Sequence, residues 1–104
     1  MGITKAEALK AVDRERGPVC EASDRIWDQP ETAFQEFHST DVLCELLEKE
    51  GFRVERNLAG IATAFSGTYG SGKPVVGILG EFDALSGLSQ ESESLEKTEL
   101  VAGA

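Results

Sequence analysis

Two carboxylates stand one residue apart in this sequence, at the end of a stretch that carries no charge. The stretch VVGILG, residues 75–80, is followed directly by Glu81, Phe82 and Asp83. Residues i and i+2 of a β-strand point to the same face, so Glu81 and Asp83 would face one site while Phe82 points away. Carboxylates in a low-dielectric corner must pair with cations, bind a metal ion or shift in pKa. By itself the pattern favours a functional site and an ordinary solvated turn about equally.

The first element that would help to position these carboxylates is a long N-terminal helix. Apolar residues recur at steps of three and four over residues 4–28, which predicts an amphipathic helix. Gly17-Pro18 interrupts it, because Pro18 lacks a backbone donor and its ring crowds the carbonyl of Arg14. We therefore expect a kink or a break at Gly17-Pro18.

A second helix is predicted from Ser39 or Thr40, either of which is a good N-cap, to Glu50. Gly51 follows as the natural C′ residue, since glycine readily adopts the left-handed conformation that ends many helices. The period of the apolar pattern changes to two after this point, and that change is typical of strands.

Three strands are predicted after the helices, over residues 52–56, 61–69 and 75–82. The fold class is therefore α/β: two helices followed by a three-stranded meander that belongs to a larger mixed sheet. The third strand is apolar on both faces, yet two helices can cover only one face of a sheet. We expect residues 1–88 to be the N-terminal portion of a catalytic domain, and residues 89–104 to be an acidic loop or disordered tail.

Composition narrows the choice of partner. The 104 residues carry 19 Asp and Glu against 10 Lys and Arg, a net charge of −9. Such a charge argues against binding to nucleic acid or to an anionic membrane surface. Neither a secretory leader nor a run long enough to span a membrane is visible, so a cytoplasmic location is expected. In that compartment Cys20 and Cys44 should be reduced and partly buried.

Other candidate motifs have simpler explanations. GTYGSGKP, residues 67–74, nearly matches a phosphate-binding loop, but Pro74 replaces the hydroxyl residue and a strand rather than a helix is predicted next. A glycine-rich hairpin loop is the simpler interpretation. His38 is the only histidine, and since one imidazole cannot form a transition-metal site alone, a surface position at a helix entry is expected. The aromatic residues beside the helices are expected in the core: Trp27, Phe34, Phe37 and Phe52.

Three segments together resemble a known family. GEFDALSGLSQ (residues 80–90) strongly resembles the GE[YF]DAL-x-GLSQ segment of the M20 metallopeptidase and amidohydrolase superfamily. RIWDQPETAFQEFHST (residues 25–40) is similar to its helix-end signature, with the Pro-Glu pair at Pro30 and Glu31. LEKEGFRVERNLAGIATAF, followed by GSGKPVVGILGE, is similar to its helix–strand–hairpin–strand unit. Within the superfamily the sequence resembles the aminobenzoyl-glutamate hydrolase branch, and there the B-type rather than any other kind of chain.

The resemblance implies a metal-dependent hydrolase that cleaves amide bonds in N-acyl amino acids, dipeptides or aminobenzoyl-glutamate. Asp83 matches the acid that orients a metal-binding histidine without touching the metal itself, a role with a clear physical basis. Glu81 occupies the position two residues before it, which implies a place near the metal and negative charge beside it. The metal would be zinc or manganese in the full-length relative, and the substrate would be a small-molecule amide.

In that branch a Gly-His-Gly-Cys-Gly-His-Asn segment supplies metal ligands, and it would begin about where residues 101–104 end this sequence. A metal-bound water needs several protein ligands and a general base to attack an amide. We therefore expect an N-terminal fragment that binds no metal tightly and is inactive alone. The alternative is a non-catalytic interaction module, in which an open sheet edge recruits a partner or forms a homo-oligomer.

Overall fold

Three helices and a two-stranded sheet form the described part of the chain, which comprises residues 2–87, 95 and 96 of this computed structural model. In chain order these elements are α1 (Lys5–Arg14), α2 (Arg16–Asp28), α3 (Phe37–Lys49), β1 (Arg53–Arg56), a 3₁₀ turn (Leu58–Gly60) and β2 (Phe65–Thr68). Helix α3 is central, since it packs against α2 on one side and against both strands on the other. The fold thus combines α and β elements, as predicted.

The predicted break in the first helix is confirmed, and it lies at Glu15, just before Gly17-Pro18. Helix α1 begins with a capping box, in which the Thr4 hydroxyl accepts from the Glu7 backbone N–H at 3.1 Å. Pro18 falls in the first turn of α2, where a missing N–H leaves no helix bond unmade. Helix α2 ends at Asp28, as expected from the following Gln29-Pro30.

Helix α3 begins earlier than predicted. Its N-cap position is Glu36, so Ser39 and Thr40 lie inside the first turn and the prediction that one of them caps the helix is wrong. The C-terminal end agrees with the sequence: Gly51 has φ 91°, and its N–H donates to the Glu48 carbonyl at 3.0 Å. The N–H of Phe52 donates to the Leu47 carbonyl at 2.9 Å, which completes a Schellman motif.

The core is small and partly polar. Its buried apolar residues are Ala22, Val42 and Cys44, and beside them Ser39, Thr40 and Thr63 are buried as well. The Thr40 hydroxyl donates to the Thr63 carbonyl at 2.9 Å, so this buried pair ties α3 to the loop before β2. A domain of this size buries a modest share of its surface, so each of these few contacts matters to stability.

Some residues expected inside lie at the surface. Trp27 (45% exposed), Phe34 (67%) and Phe37 (54%) are not core residues, which corrects that prediction for these three. Cys20 is exposed and Cys44 is buried, and both are free thiols. Burial raises the pKa of the Cys44 thiol, so this cysteine acts as a small apolar core residue. Among the described residues, no helix combines the length and apolarity needed to cross a membrane.

The predicted three-stranded meander is wrong within the described residues. Strands β1 and β2 pair antiparallel, with Val54 opposite Gly67, but residues 75–82 form no strand. A strand needs a neighbouring backbone, and the loop with positive φ at Gly70 and Gly72 does not return the chain alongside β2. The glycine-rich hairpin expected at 67–74 is therefore absent, and no helix follows it either, as a phosphate-binding loop would require.

Residues 88–94 and 97–104 lie outside the part of the chain that the structure describes. The predicted boundary near residue 88 and the acidic loop or disordered tail over 89–104 therefore stay predictions.

Candidate functional site

Glu81 and Asp83 lie on one side of the segment that follows residues 75–80. Both side chains are exposed, whereas Phe82 and Ala84 between and after them are half-buried. This alternation is the one that strand geometry predicts, although the segment is not a strand. Within residues 2–87, 95 and 96, neither carboxylate makes a hydrogen bond or an ion pair. Both are therefore available to solvent or to a partner.

Two contacts hold this acidic segment in place. The ring of Phe82 packs against that of Phe65 in β2, with centroids 5.8 Å apart. The backbone N–H of Ala84 donates to the carbonyl of Glu31 at 2.7 Å. The carboxylates are thus positioned by β2 and by the loop between α2 and α3.

Glu31 is the residue that joins this segment to helix α3. Its carboxylate accepts from the backbone N–H groups of His38 at 2.9 Å and Ser39 at 2.6 Å, and from the Ser39 hydroxyl at 2.7 Å. These N–H groups belong to the first turn of α3, where no helix carbonyl is available to them. A negative charge also interacts favourably with the helix N-terminus. Glu31 therefore caps α3, the role predicted for Ser39 or Thr40.

The sequence signal for this cap was weak. Capping rules search the residue directly before a helix, whereas Glu31 lies seven and eight residues before its partners. The resemblance singles out the Pro30-Glu31 pair, but it says nothing about what the Glu31 side chain contacts. Only the path of the loop between α2 and α3 brings that carboxylate to the helix.

The surroundings of Glu31 favour its charged form. Burial acts to raise the pKa of the carboxyl, but donation from the Ser39 and His38 backbone, from the Ser39 hydroxyl and the nearby His38 outweigh it. The pKa of Glu31 is therefore lower than its ordinary value.

A lowered pKa makes the contribution of Glu31 dependent on pH. The stabilisation is fully present above the unfolded-state pKa of about 4.5 and is lost as pH falls through the lower folded-state pKa. Comparing the free energies of unfolding of wild type and Glu31→Gln by urea denaturation should show a constant difference from about pH 7 to pH 5. The difference should shrink as the pH is lowered further. A difference that grew in acid would contradict this assignment.

The residues described do not by themselves fit a metal centre. Within residues 2–87, 95 and 96, no group of three or more His, Cys, Asp or Glu side chains lies close enough to hold a metal ion. Near the start of α3, two buried atoms, Glu36 Oε1 and His38 Nε2, make no hydrogen bond within the described part of the chain. His38 is half-buried here rather than a surface residue, and the structure does not bring it together with Glu81 and Asp83 as a metal-binding group.

A large apolar cavity lies beside the acidic segment. It encloses about 1890 Å³ between the apolar faces of α2 and α3, strand β2, and residues 74–87. Pockets for small ligands typically enclose about 300–1,000 Å³, so this space has the size of a protein interface rather than of a substrate pocket. Ile26, Leu43 and Leu46 line it on the helix side, and Ile78 and Leu79 line it on the other.

These features define an α/β unit with an exposed acidic segment docked against a helix cap. No protein-family model matches the chain. It is 44% identical over 93 residues to the B-type subunit of p-aminobenzoyl-glutamate hydrolase from Escherichia coli (strain K12), an alignment that covers 89% of this chain and 19% of the relative. The chain thus spans about a fifth of the length of the curated relative that it matches. The match supports the predicted likeness to that hydrolase.

Proposed function

We propose that this chain corresponds to the N-terminal part of the catalytic domain of a metal-dependent amidohydrolase or peptidase of the M20 type. The observation that carries the proposal is the 44% identity, over 89% of the chain, to a chain of p-aminobenzoyl-glutamate hydrolase. The reaction would be cleavage of an amide bond in aminobenzoyl-glutamate, an N-acyl amino acid or a dipeptide. Such a protein would be cytoplasmic and would use zinc or manganese.

Within that protein, Asp83 would orient a metal-binding histidine, and Glu81 would place negative charge near the metal. Their exposure is consistent with these roles, because a group that must contact residues from elsewhere has to be accessible. The positions of both carboxylates are fixed from behind by the Phe82–Phe65 contact and by the Ala84–Glu31 hydrogen bond. That support is what a precisely oriented acid requires.

The chain alone would not catalyse the reaction. Activating a water on zinc typically takes three protein ligands, and the sequence contains one histidine. Since the described residues assemble no metal-binding group, we derive no catalytic step for this chain by itself. Incubating it with zinc or manganese and p-aminobenzoyl-glutamate should give no product, and turnover would refute the proposed inactivity.

A chimera tests the relationship directly. Replacing the matching region of the Escherichia coli protein with this chain should preserve hydrolysis of p-aminobenzoyl-glutamate. In that chimera Asp83→Asn should lower activity or metal affinity by about 10–100-fold. Glu45→Gln, an exposed change on the outer side of α3, is the matched control and should have no effect. A folded, metal-loaded but inactive chimera would refute the proposed function.

The alternative function, a non-catalytic interaction module, is favoured by a different observation. Residues 75–79 expose their large apolar side chains almost completely. A continuous run of exposed apolar side chains is typical of surfaces that bind another chain.

A further inference from the structure

Residues 75–79, here called the apolar segment, are more exposed than a monomer in water would favour. Val75 is 84% exposed, Val76 81%, Ile78 95% and Leu79 92%. Single exposed apolar residues are common on protein surfaces, but a continuous run of them marks an interaction site. The segment also borders the large cavity, so the apolar surface continues onto α2 and α3.

The backbone of the apolar segment is also open to a partner. Within the described part of the chain, no backbone hydrogen bond involves residues 75–79, and neither Gly77 nor Gly80 has a positive φ. An extended, uncharged stretch rich in β-branched residues with free N–H and C=O groups is a template for pairing with another strand. The residues of the segment themselves indicate which strand fits.

We propose that the apolar segment pairs antiparallel with the same segment of a second copy of this chain, about a two-fold axis at Gly77. In this register Val75 of one copy faces Leu79 of the other, and Val76 faces Ile78. Every large apolar side chain of the segment is thereby opposite another one, as stable cross-strand pairs require. Both copies use the same surface, which gives a closed dimer rather than an open filament.

Charge selects the same register. With Gly77 on the axis, Lys73 of each copy lies opposite Glu81 of the other, so two ion pairs flank the apolar ribbon. A shift of one residue either way places Glu81 opposite Pro74 or Gly72 and leaves both charges without a partner. The sequence around Gly77 is therefore complementary to itself in apolar residues and in charge. The large negative charge of the whole chain opposes less specific association.

The cavity supplies what a two-stranded ribbon lacks. Such a ribbon is marginally stable in water unless one of its faces packs on something apolar. The apolar segment and the helix faces line the same space, so a second strand beside the segment can pack over Leu43 and Leu46. This inference is independent of the proposed hydrolase relationship, because it uses only residues of this chain.

Sedimentation equilibrium over a range of concentrations tests the dimer and its register. The wild-type chain should dimerise, and Lys73→Glu or Glu81→Lys should each weaken dimerisation about tenfold, because like charges then face each other twice. The double variant Lys73→Glu/Glu81→Lys should restore wild-type affinity. Lys49→Glu makes the same charge change at an exposed residue of α3 and serves as control.

A cysteine on the axis gives a second measurement. In a Cys20→Ser background, Gly77→Cys should form disulfide-linked dimers on mild oxidation, because residue 77 faces itself. The site has room, since no atom lies within 4 Å of a Cβ built on Gly77. Val12→Cys, exposed on α1, should not form such dimers.

A monomer at all concentrations would overturn the inference, including a monomer that binds some other strand instead. A dimer whose affinity the double charge exchange fails to restore would overturn the register. Neither result bears on the hydrolase proposal, which the chimera tests separately.

Discussion

Replacing Glu31 by Ala should lower the free energy of unfolding by about 2–3 kcal/mol, because charge-assisted bonds to the start of α3 are lost. Three donors lose their acceptor at once: the backbone N–H groups of His38 and Ser39, and the Ser39 hydroxyl. Ser39 is fully buried, so water cannot replace the lost acceptor without local opening. Urea denaturation followed by far-UV circular dichroism measures the change.

Graded variants separate the cap from a general effect of removing charge. Glu31→Gln keeps one acceptor oxygen and should cost roughly half as much as Glu31→Ala. Glu21→Gln removes a charge from an exposed position on α2 and should change stability by less than about 0.5 kcal/mol. Equal stabilities of Glu31→Ala and Glu21→Gln would show that the carboxylate of Glu31 does not cap α3 in solution.

Replacing Val42 by Asp should prevent folding altogether. Val42 is 2% exposed in a core with few other buried apolar residues, and an unpaired charge there costs several kcal/mol. Stabilities of single domains are about 5–15 kcal/mol, and a domain of this size lies near the low end. The far-UV circular dichroism spectrum should therefore show little helix and no cooperative thermal transition.

Two further variants make this result specific. Val42→Ala removes two methyl groups and should fold with a loss of about 1–3 kcal/mol. Val12→Asp places the same charge at a residue of α1 that is 68% exposed, and it should fold like wild type. A cooperative transition in Val42→Asp close to that of wild type would mean that α3 is not the centre of the core.

The features that could be predicted from the sequence are those set by neighbouring residues. The break before α2 follows from the ring of Pro18, and the end of α3 follows from the freedom of Gly51 to adopt positive φ. Strand β1 follows from the alternation of residues 52–56. In each case the cause lies within one helical turn or one strand of its effect.

The features that local patterns predicted wrongly depend on distant parts of the chain. Residues 75–82 have the composition of a buried strand, but a strand also needs a paired backbone that local composition cannot provide. The cap on α3 comes from Glu31 because a loop returns it to the helix, and this path cannot be derived from spacing. The spacing of Glu81 and Asp83 did predict their shared face, because that depends on alternation alone.

The two-sided bonding of Glu31 fixes the length of the loop before α3. Its carbonyl oxygen holds Ala84 while its carboxylate holds His38 and Ser39, so the residue is anchored in two directions. Adding or deleting one residue between Glu31 and α3 would force the chain to give up one anchor. Substitutions along this loop can be absorbed, but changes in its length cannot. Among relatives of this chain, the number of residues from Glu31 to Ser39 should vary less than their identities.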